Sequence, residues 1–308
     1  MMFSLPTLAL IAVLVFVTIA WFSRRPMTAR VRNAAPGQFV KTPMGTLHYQ
    51  FHGPPKGELV VLVHGLTTPS FYWADLLPHL TQAGYRVLTF DHFGRGFSDR
   101  PSATHNFEFY RQELDDLLGA LNITQSFHLV GYSMGGGIAT DYAAQRRDRL
   151  KSLTLIAPIG FLETTGSWVV RWPVIGDIAM FLFGGWSLRR AAAKAGVVEG
   201  VETKWTVLQA RETRYAGFTT AVLSSLRNVI YVNLSKDHET IRARGLPLLA
   251  VFATDDTVIP IDGAMKLREL NRRAEIVEIN SAGHSLVSTH AGDLGTAMTQ
   301  FLRSCQDR

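Results

Sequence analysis

The stretch FHLVGYSMGG, residues 127–136, sets an apolar run against a serine flanked by glycines. A short, nearly continuous apolar run suits a strand covered on both faces. It ends at Ser133, and Gly131 and Gly135 lie two positions to either side. Where a strand turns sharply into a helix, the two backbones come so close that only small residues fit at those places. The residue at the apex then projects its side chain clear of the sheet. The stretch therefore reads as strand, tight turn and helix start, with Ser133 presented as a nucleophile. Gly-x-Ser-x-Gly alone is a weak signal, and its weight comes from the strand run before it and the helical pattern after it.

Outward from this stretch, the runs LVVLVHG (59–65), RVLTFD (86–91), LKSLTLIAP (150–158), LPLLAVFA (246–253) and AEIVEIN (274–280) have the same character. They alternate with longer helical patterns, such as residues 106–123, where Phe109, Leu114, Leu117, Leu118 and Leu121 fall near one face. GTLHYQFHGPPKGE (45–58) reads as a strand and turn at an antiparallel edge. Such alternation predicts an α/β fold, a mostly parallel sheet with helices on both faces. One interval departs from it. Nearly ninety residues separate LIAP from LPLLAVF, too many for an ordinary crossover. The interval contains GSWVVRWPVIGDIAMFLFGGW (166–186), in which Arg171, Pro173 and Asp177 leave no charge-free stretch long enough to span a bilayer. It is expected to form a helical lid with an apolar face that also touches the bilayer surface.

Composition bounds the function. The chain has 308 residues and 47% hydrophobic content, enough for a large core, and its single cysteine, Cys305, excludes intrachain disulfides and cysteine metal sites. The net charge of +6 belongs to the N-terminal part: residues 1–57 hold six basic residues and no acidic one, and residues 58–308 are balanced. A basic segment beside an apolar one fits lipid headgroups better than nucleic acid, and no nucleic-acid partner is expected. The apolar segment, residues 3–22, has no charge and as a helix would reach about 30 Å, so it is expected to be an N-terminal transmembrane helix. Its rival, a cleaved signal peptide, lacks a basic start and a clear cleavage site. The arginines that follow place the main domain in the cytoplasm. Residues 1–22 are thus the anchor and 23–37 a basic linker.

A hydroxyl attacks only when a base takes its proton and something stabilises the oxyanion. His284, just past the last strand run in a loop of small residues, is the candidate base. His290 looks like a helix-start residue, His128 lies within the serine strand, and His64 lies in a tight turn that suits a structural role. The orienting acid should follow a strand between serine and histidine, and Asp255 and Asp256 both do. One of them is expected to cap the helix that starts near Pro260, and Asp256 is favoured as the catalytic acid. The oxyanion needs two N–H groups, expected from Met134, at the start of the helix after the serine, and Leu66 in LVHGLTT.

Together these residues resemble the α/β-hydrolase family over about residues 38–304. His64-Gly65, DHFGRGFSDRP (91–101), GYSMGG (131–136), DDTVIP (255–260) and AGHS (282–285) stand in the family's order and spacing. The resemblance supports Asp256, which precedes x-x-x-Pro. It implies an eight-stranded, mostly parallel sheet, with residues 38–159 and 244–308 as the core and a helical cap at 160–243. Ser133 stands against the aspartate-nucleophile subfamilies. The anchor, the apolar cap and GHSLV look most like membrane-anchored monoacylglycerol lipases and related carboxylesterases. The expected activity is therefore a serine hydrolase of lipophilic carboxylic esters that uses Ser133, His284 and Asp256 and no metal or cofactor. Its expected partners are a small lipophilic ester and membrane lipid. The alternatives are a C–C bond hydrolase with the same triad, perhydrolysis as a side activity, and a non-catalytic scaffold.

Overall fold

The computed structural model describes residues 4, 11 and 18, 24–161 and 168–306. The segment expected to form a transmembrane helix, residues 3–22, lies outside the described residues apart from Ser4, Ile11 and Thr18. Among the described residues no helix is long and apolar enough to cross a membrane.

Eight strands form one sheet: β1 (Gln38–Thr42), β2 (Gly45–His52), β3 (Leu59–Val63), β4 (Arg86–Phe90), β5 (Phe127–Tyr132), β6 (Leu150–Ile156), β7 (Leu248–Ala253) and β8 (Glu275–Ile279). Their order is β1-β2-β4-β3-β5-β6-β7-β8. β2 runs antiparallel to both its neighbours, and all the remaining pairs are parallel. The β-branched and leucine-rich runs form the central strands because helices cover them on both faces. In β3, Val61 and Val63 join the core layer of Leu114, Tyr142 and Ile138, while Val60 and Leu62 join the opposite layer of Trp73, Leu294 and Met298. Each such aliphatic side chain contributes about 1.5–3 kcal/mol on full burial. β1 has no continuous apolar run, and its residues are exposed or half-buried, as befits an edge.

The helix Phe107–Ala120 begins at Asn106, whose side-chain oxygen accepts the Phe109 N–H at 2.8 Å, satisfying one of the unpaired first-turn donors. The helix Met134–Gln145 is buried along nearly its whole length. Between β6 and β7 the chain leaves the sheet to build a cap. Its helices are Trp168–Arg171, Ile175–Ala179, Gly185–Val198, Thr203–Glu212, Phe218–Ser225 and Ser235–Ala243, with a π-turn at Met180–Gly184.

The basic linker is docked. The Arg25 N–H donates to the Arg214 carbonyl at 2.8 Å, and the Ala216 N–H donates to the Arg25 carbonyl at 3.0 Å, which fixes the linker to the cap. Seven residues on, Arg32 donates to the Phe97 carbonyl at 3.1 Å and pairs with Asp99, which fixes it to the core.

Candidate active site

Parallel strands deliver their following loops to one edge of a sheet, the edge where sites form in open α/β folds. Here β3, β5, β7 and β8 end along the same edge, at Val63, Tyr132, Ala253 and Ile279, with β6 between β5 and β7, and the loops after them carry Leu66, Ser133, Asp256 and His284.

Ser133 has φ 54° and ψ −117°, a backbone conformation that side-chain-bearing residues rarely adopt. It persists because its surroundings leave no alternative. The Ser133 N–H is held by the Ile156 carbonyl at 2.9 Å. A Cβ on Gly131 would collide with the Gly135 carbonyl, and one on Gly135 with the Val63 carbonyl, so strand, turn and helix fit only with glycine at both positions.

The Ser133 Oγ lies 3.0 Å from His284 Nε2, and His284 Nδ1 lies 2.7 Å from Asp256 Oδ2. Asp256 Oδ1 accepts the N–H groups of Val258 and Ile259, both at 2.8 Å. The carboxylate is thus aimed by backbone donors that cannot rotate away. The acid and histidine loops are also joined directly, by Asp255 N–H to the Ala282 carbonyl at 2.9 Å and Ser281 N–H to Thr254 Oγ1 at 3.0 Å. The Asp255 side chain accepts from Thr254 Oγ1 at 3.1 Å and does not reach His284. The expectation that one of the pair caps the next helix is not met. That helix begins at Asp262 after Ile261 with no side-chain cap, and Asp256 spends its second oxygen on the loop instead.

The histidines not chosen have other partners. His290 Nδ1 bonds its neighbour Thr289, and buried His128 bonds Ser152. His64 is structural, but it serves the oxyanion loop. Its Nε2 accepts the His92 N–H at 2.9 Å, so its proton sits on Nδ1, which donates to the Gly65 carbonyl at 2.7 Å. Burial holds this imidazole well below its ordinary pKa, as does the nearby His92.

Several residues that the sequence did not single out support this edge. Tyr132 donates its hydroxyl to the His284 carbonyl at 2.9 Å, so the residue before the nucleophile holds the base's backbone. Burial raises this phenol's pKa and keeps it a donor. Arg95, fully buried, donates from Nε to the Leu66 carbonyl at 3.2 Å and from Nη2 to cap residues, the Ala221 carbonyl at 3.3 Å and Ser225 Oγ at 2.7 Å. One guanidinium thus joins the oxyanion loop to the cap. Next to it Glu113 pairs with His92. Burial pushes the Glu113 carboxyl well above its ordinary range and the His92 imidazole down to about 3. From the cap, Glu199 accepts the Ser285 N–H at 2.7 Å, Trp205 donates to Asp75 at 2.7 Å and Gln209 donates to Thr67 Oγ1 at 2.7 Å. The only sequence signal for these contacts was the run DHFGRGFSDRP, which contains Arg95.

A strained serine, a histidine within hydrogen-bond reach and an aimed carboxylate, arranged on one edge of an eight-stranded sheet, define a hydrolase of the nucleophile-elbow type. The chain belongs to the α/β-hydrolase family: the family model for the alpha/beta hydrolase fold matches residues 58–291. It is 27% identical over 278 residues to a cis-3-alkyl-4-alkyloxetan-2-one decarboxylase of Shewanella oneidensis, covering 83% of this chain and 85% of that one. Among solved structures, an enol-lactonase from Burkholderia xenovorans aligns with a TM-score of 0.75 at 22% identity, covering 86% of this chain and 100% of that one. A membrane phospholipase A, described as a bacterial virulence factor, aligns with a TM-score of 0.72 at 21% identity over 98% and 97% of the two chains. At these identities the two structural likenesses establish the fold.

Proposed function

We propose that the chain is a serine hydrolase of lipophilic carboxylic esters, such as monoacylglycerols or short- and medium-chain acyl esters. The relay from Asp256 through His284 to Ser133 carries this reading, with 2.7 Å and 3.0 Å between its members. His284 Nε2 takes the hydroxyl proton as Oγ bonds to the ester carbonyl carbon, and Asp256 steadies the imidazolium. The tetrahedral oxyanion is placed against the N–H groups of Leu66 and Met134, the latter at the positive end of a helix. His284 then returns its proton to the departing alcohol. Water, deprotonated by the same imidazole, attacks the acyl-enzyme and releases the acid, with the proton passing back to Ser133. No metal or organic cofactor takes part.

The lipophilic ester class is supported by the Shewanella relative, whose name specifies decarboxylation of a four-membered cyclic ester bearing two alkyl groups. The uncharged run at residues 3–22 and the basic linker after it support a membrane location with the main domain on the cytoplasmic side. In the test, Ser133→Ala is assayed on p-nitrophenyl butyrate and on a vinylogous 1,5-diketone. The expected result is ester turnover by the native chain and a loss of about 10,000-fold or more in the variant. Ester turnover that survives the substitution refutes the mechanism, and turnover of the diketone alone assigns the triad to C–C bond hydrolysis.

A further inference from the structure

We propose that the exposed face of the cap helices from Ile175 to Val198 seats on an anionic phospholipid bilayer, so that the cap itself lies on the membrane. This rests on the membrane location argued above and adds which surface meets the lipid.

Across the π-turn the helices Ile175–Ala179 and Gly185–Val198 follow one another without a break. A five-residue step, the π-turn's own spacing, separates Ile178 from Phe183, and Trp186 follows at the ordinary three. The π-turn thereby keeps Ile178, Phe183 and Trp186 in one stripe. Further along, Val197 extends it after Arg190 and Lys194. The stripe is exposed: Phe183 by 57%, Trp186 by 59% and Val197 by 87%. A face this apolar is too large to be a scatter of single surface residues, and interaction sites are where such patches occur.

Its chemistry favours lipid over another protein. Along the stripe the aromatic rings of Phe183 and Trp186 are followed by the cations Arg190 and Lys194, a composition suited to a membrane interface. The Arg190 guanidinium sits 5.6 Å from the Trp186 ring centroid, and Arg190 and Lys194 have no ion-pair partner among the described residues. Asp177, the sole acid from residue 168 to 198, is already held by Arg227. The stripe therefore presents positive charge to anionic headgroups.

The path of the chain gives an independent argument. The apolar run at residues 3–22 leads directly into Arg24, whose guanidinium lies over the Phe181 ring, 4.2 Å from its centroid, and donates to the Phe181 carbonyl. The chain coming from the apolar run thus enters the folded domain at this helix. A bilayer that holds residues 3–22 is brought to the cap face, and Lys56, before β3 and at the other end of the parallel strands, is carried far from it.

The full chain, with Cys305→Ser, is reconstituted into vesicles of phosphatidylglycerol and phosphatidylcholine and labelled with an environment-sensitive dye at Phe183→Cys, Val197→Cys or Lys56→Cys. Flotation with the vesicles reports the membrane location, and quenching by spin-labelled lipid reports the cap. The expected result is flotation of all three, with lipid quenching at 183 and 197 and quenching by aqueous iodide alone at 56. The double variant Phe183→Asp, Trp186→Glu should hydrolyse vesicle-borne monoacylglycerol about tenfold more slowly and soluble p-nitrophenyl butyrate within twofold of the native rate. Failure to float refutes the membrane location and this proposal with it. Flotation with the dye at 183 open to iodide refutes the cap contact alone, as does self-quenching between labelled chains that lipid quencher does not touch, which assigns the face to a second copy.

Discussion

Ser133 and Asp256 follow strands in which every residue is buried, whereas the cap above them leaves Trp172, Phe183 and Trp186 more than half exposed. The catalytic edge is fixed by backbone: sheet ladders, the turn at Ser133, two amides on Asp256 and the bonds between the acid and histidine loops. The cap is fixed to that edge through side chains, chiefly Glu199, Trp205, Gln209 and Arg95. A hydrogen bond of this kind has a net worth of about 1 kcal/mol, far less than a buried strand. The difference teaches that reactive geometry is set by the backbone of the sheet and its loops, while the cap above it is placed by side chains.

The sharpest break in this comparison is within the edge itself. Asp256→Asn should lower kcat about 10,000-fold, because the amide cannot hold the imidazole in the productive tautomer. Asp255→Asn, one residue away but with its side chain on Thr254 and not on His284, should leave kcat within about twofold. Similar losses in both variants, measured on p-nitrophenyl butyrate, would remove Asp256 from its role.

Arg95 crosses from one region to the other, so its loss should affect both. Arg95→Met removes the side-chain donor from the Leu66 carbonyl and the bonds to Ala221 and Ser225, at a cost of about 1–3 kcal/mol in stability. By letting the oxyanion loop drift it should lower kcat by up to about 100-fold. Ser225→Ala removes one of the two cap bonds of Arg95, together with the Tyr110 contact, leaves the Leu66 bond in place and should leave kcat near native. Denaturant titration beside steady-state kinetics separates these effects, and a destabilised Arg95→Met enzyme with native kcat would mean that the tie to Leu66 is purely structural.

The smallest effect concerns Glu212, a cap carboxyl that is buried, accepts the Gly96 N–H at 2.8 Å and lies 3.7 Å from Arg100. Burial raises its pKa to about 7 despite that arginine, and burial lowers the Arg100 pKa as well, so desolvation outweighs attraction in the pair. The folded chain therefore binds a proton at Glu212 that the unfolded chain has released above its ordinary value of 4.5. Stability from this group is greatest below that value and is lost as pH rises towards about 7. In Glu212→Gln this component is absent, and Tm should fall less between pH 5 and pH 8 than in the native chain. Parallel Tm curves by circular dichroism would show that the group does not titrate in this window.

The two regions also differ in how far they can be read from the chain alone. The strand runs end in loops rich in small residues, and these local features are enough to set Ser133, Asp256 and His284 at one edge. β1 escaped because QFVKT, half-exposed at an edge, lacks the unbroken apolar pattern of its neighbours. Tyr132 lay inside a motif whose flanking glycines drew attention away from it. Arg95, Glu113 and Glu199 escaped for another reason. A buried arginine or glutamate has the same letter as a solvated one, and the partners that tie these three across the fold lie as far as 130, 21 and 86 residues away in sequence. What such residues do is decided by the packing of elements, which no local spacing records.

The docked linker has a mechanical consequence. Arg25 is stitched to residues 214 and 216 of the cap, and Arg32 is bolted to Phe97 and Asp99 of the core. Residues 25–32 thus bridge the same seam that Arg95 and Glu212 cross from within. A pull on the N-terminal end loads the cap stitches first, in shear along two backbone bonds, and reaches the core only after they give. The linker is therefore also a strap, and the part of the protein that yields first under such a pull is the layer over the nucleophile.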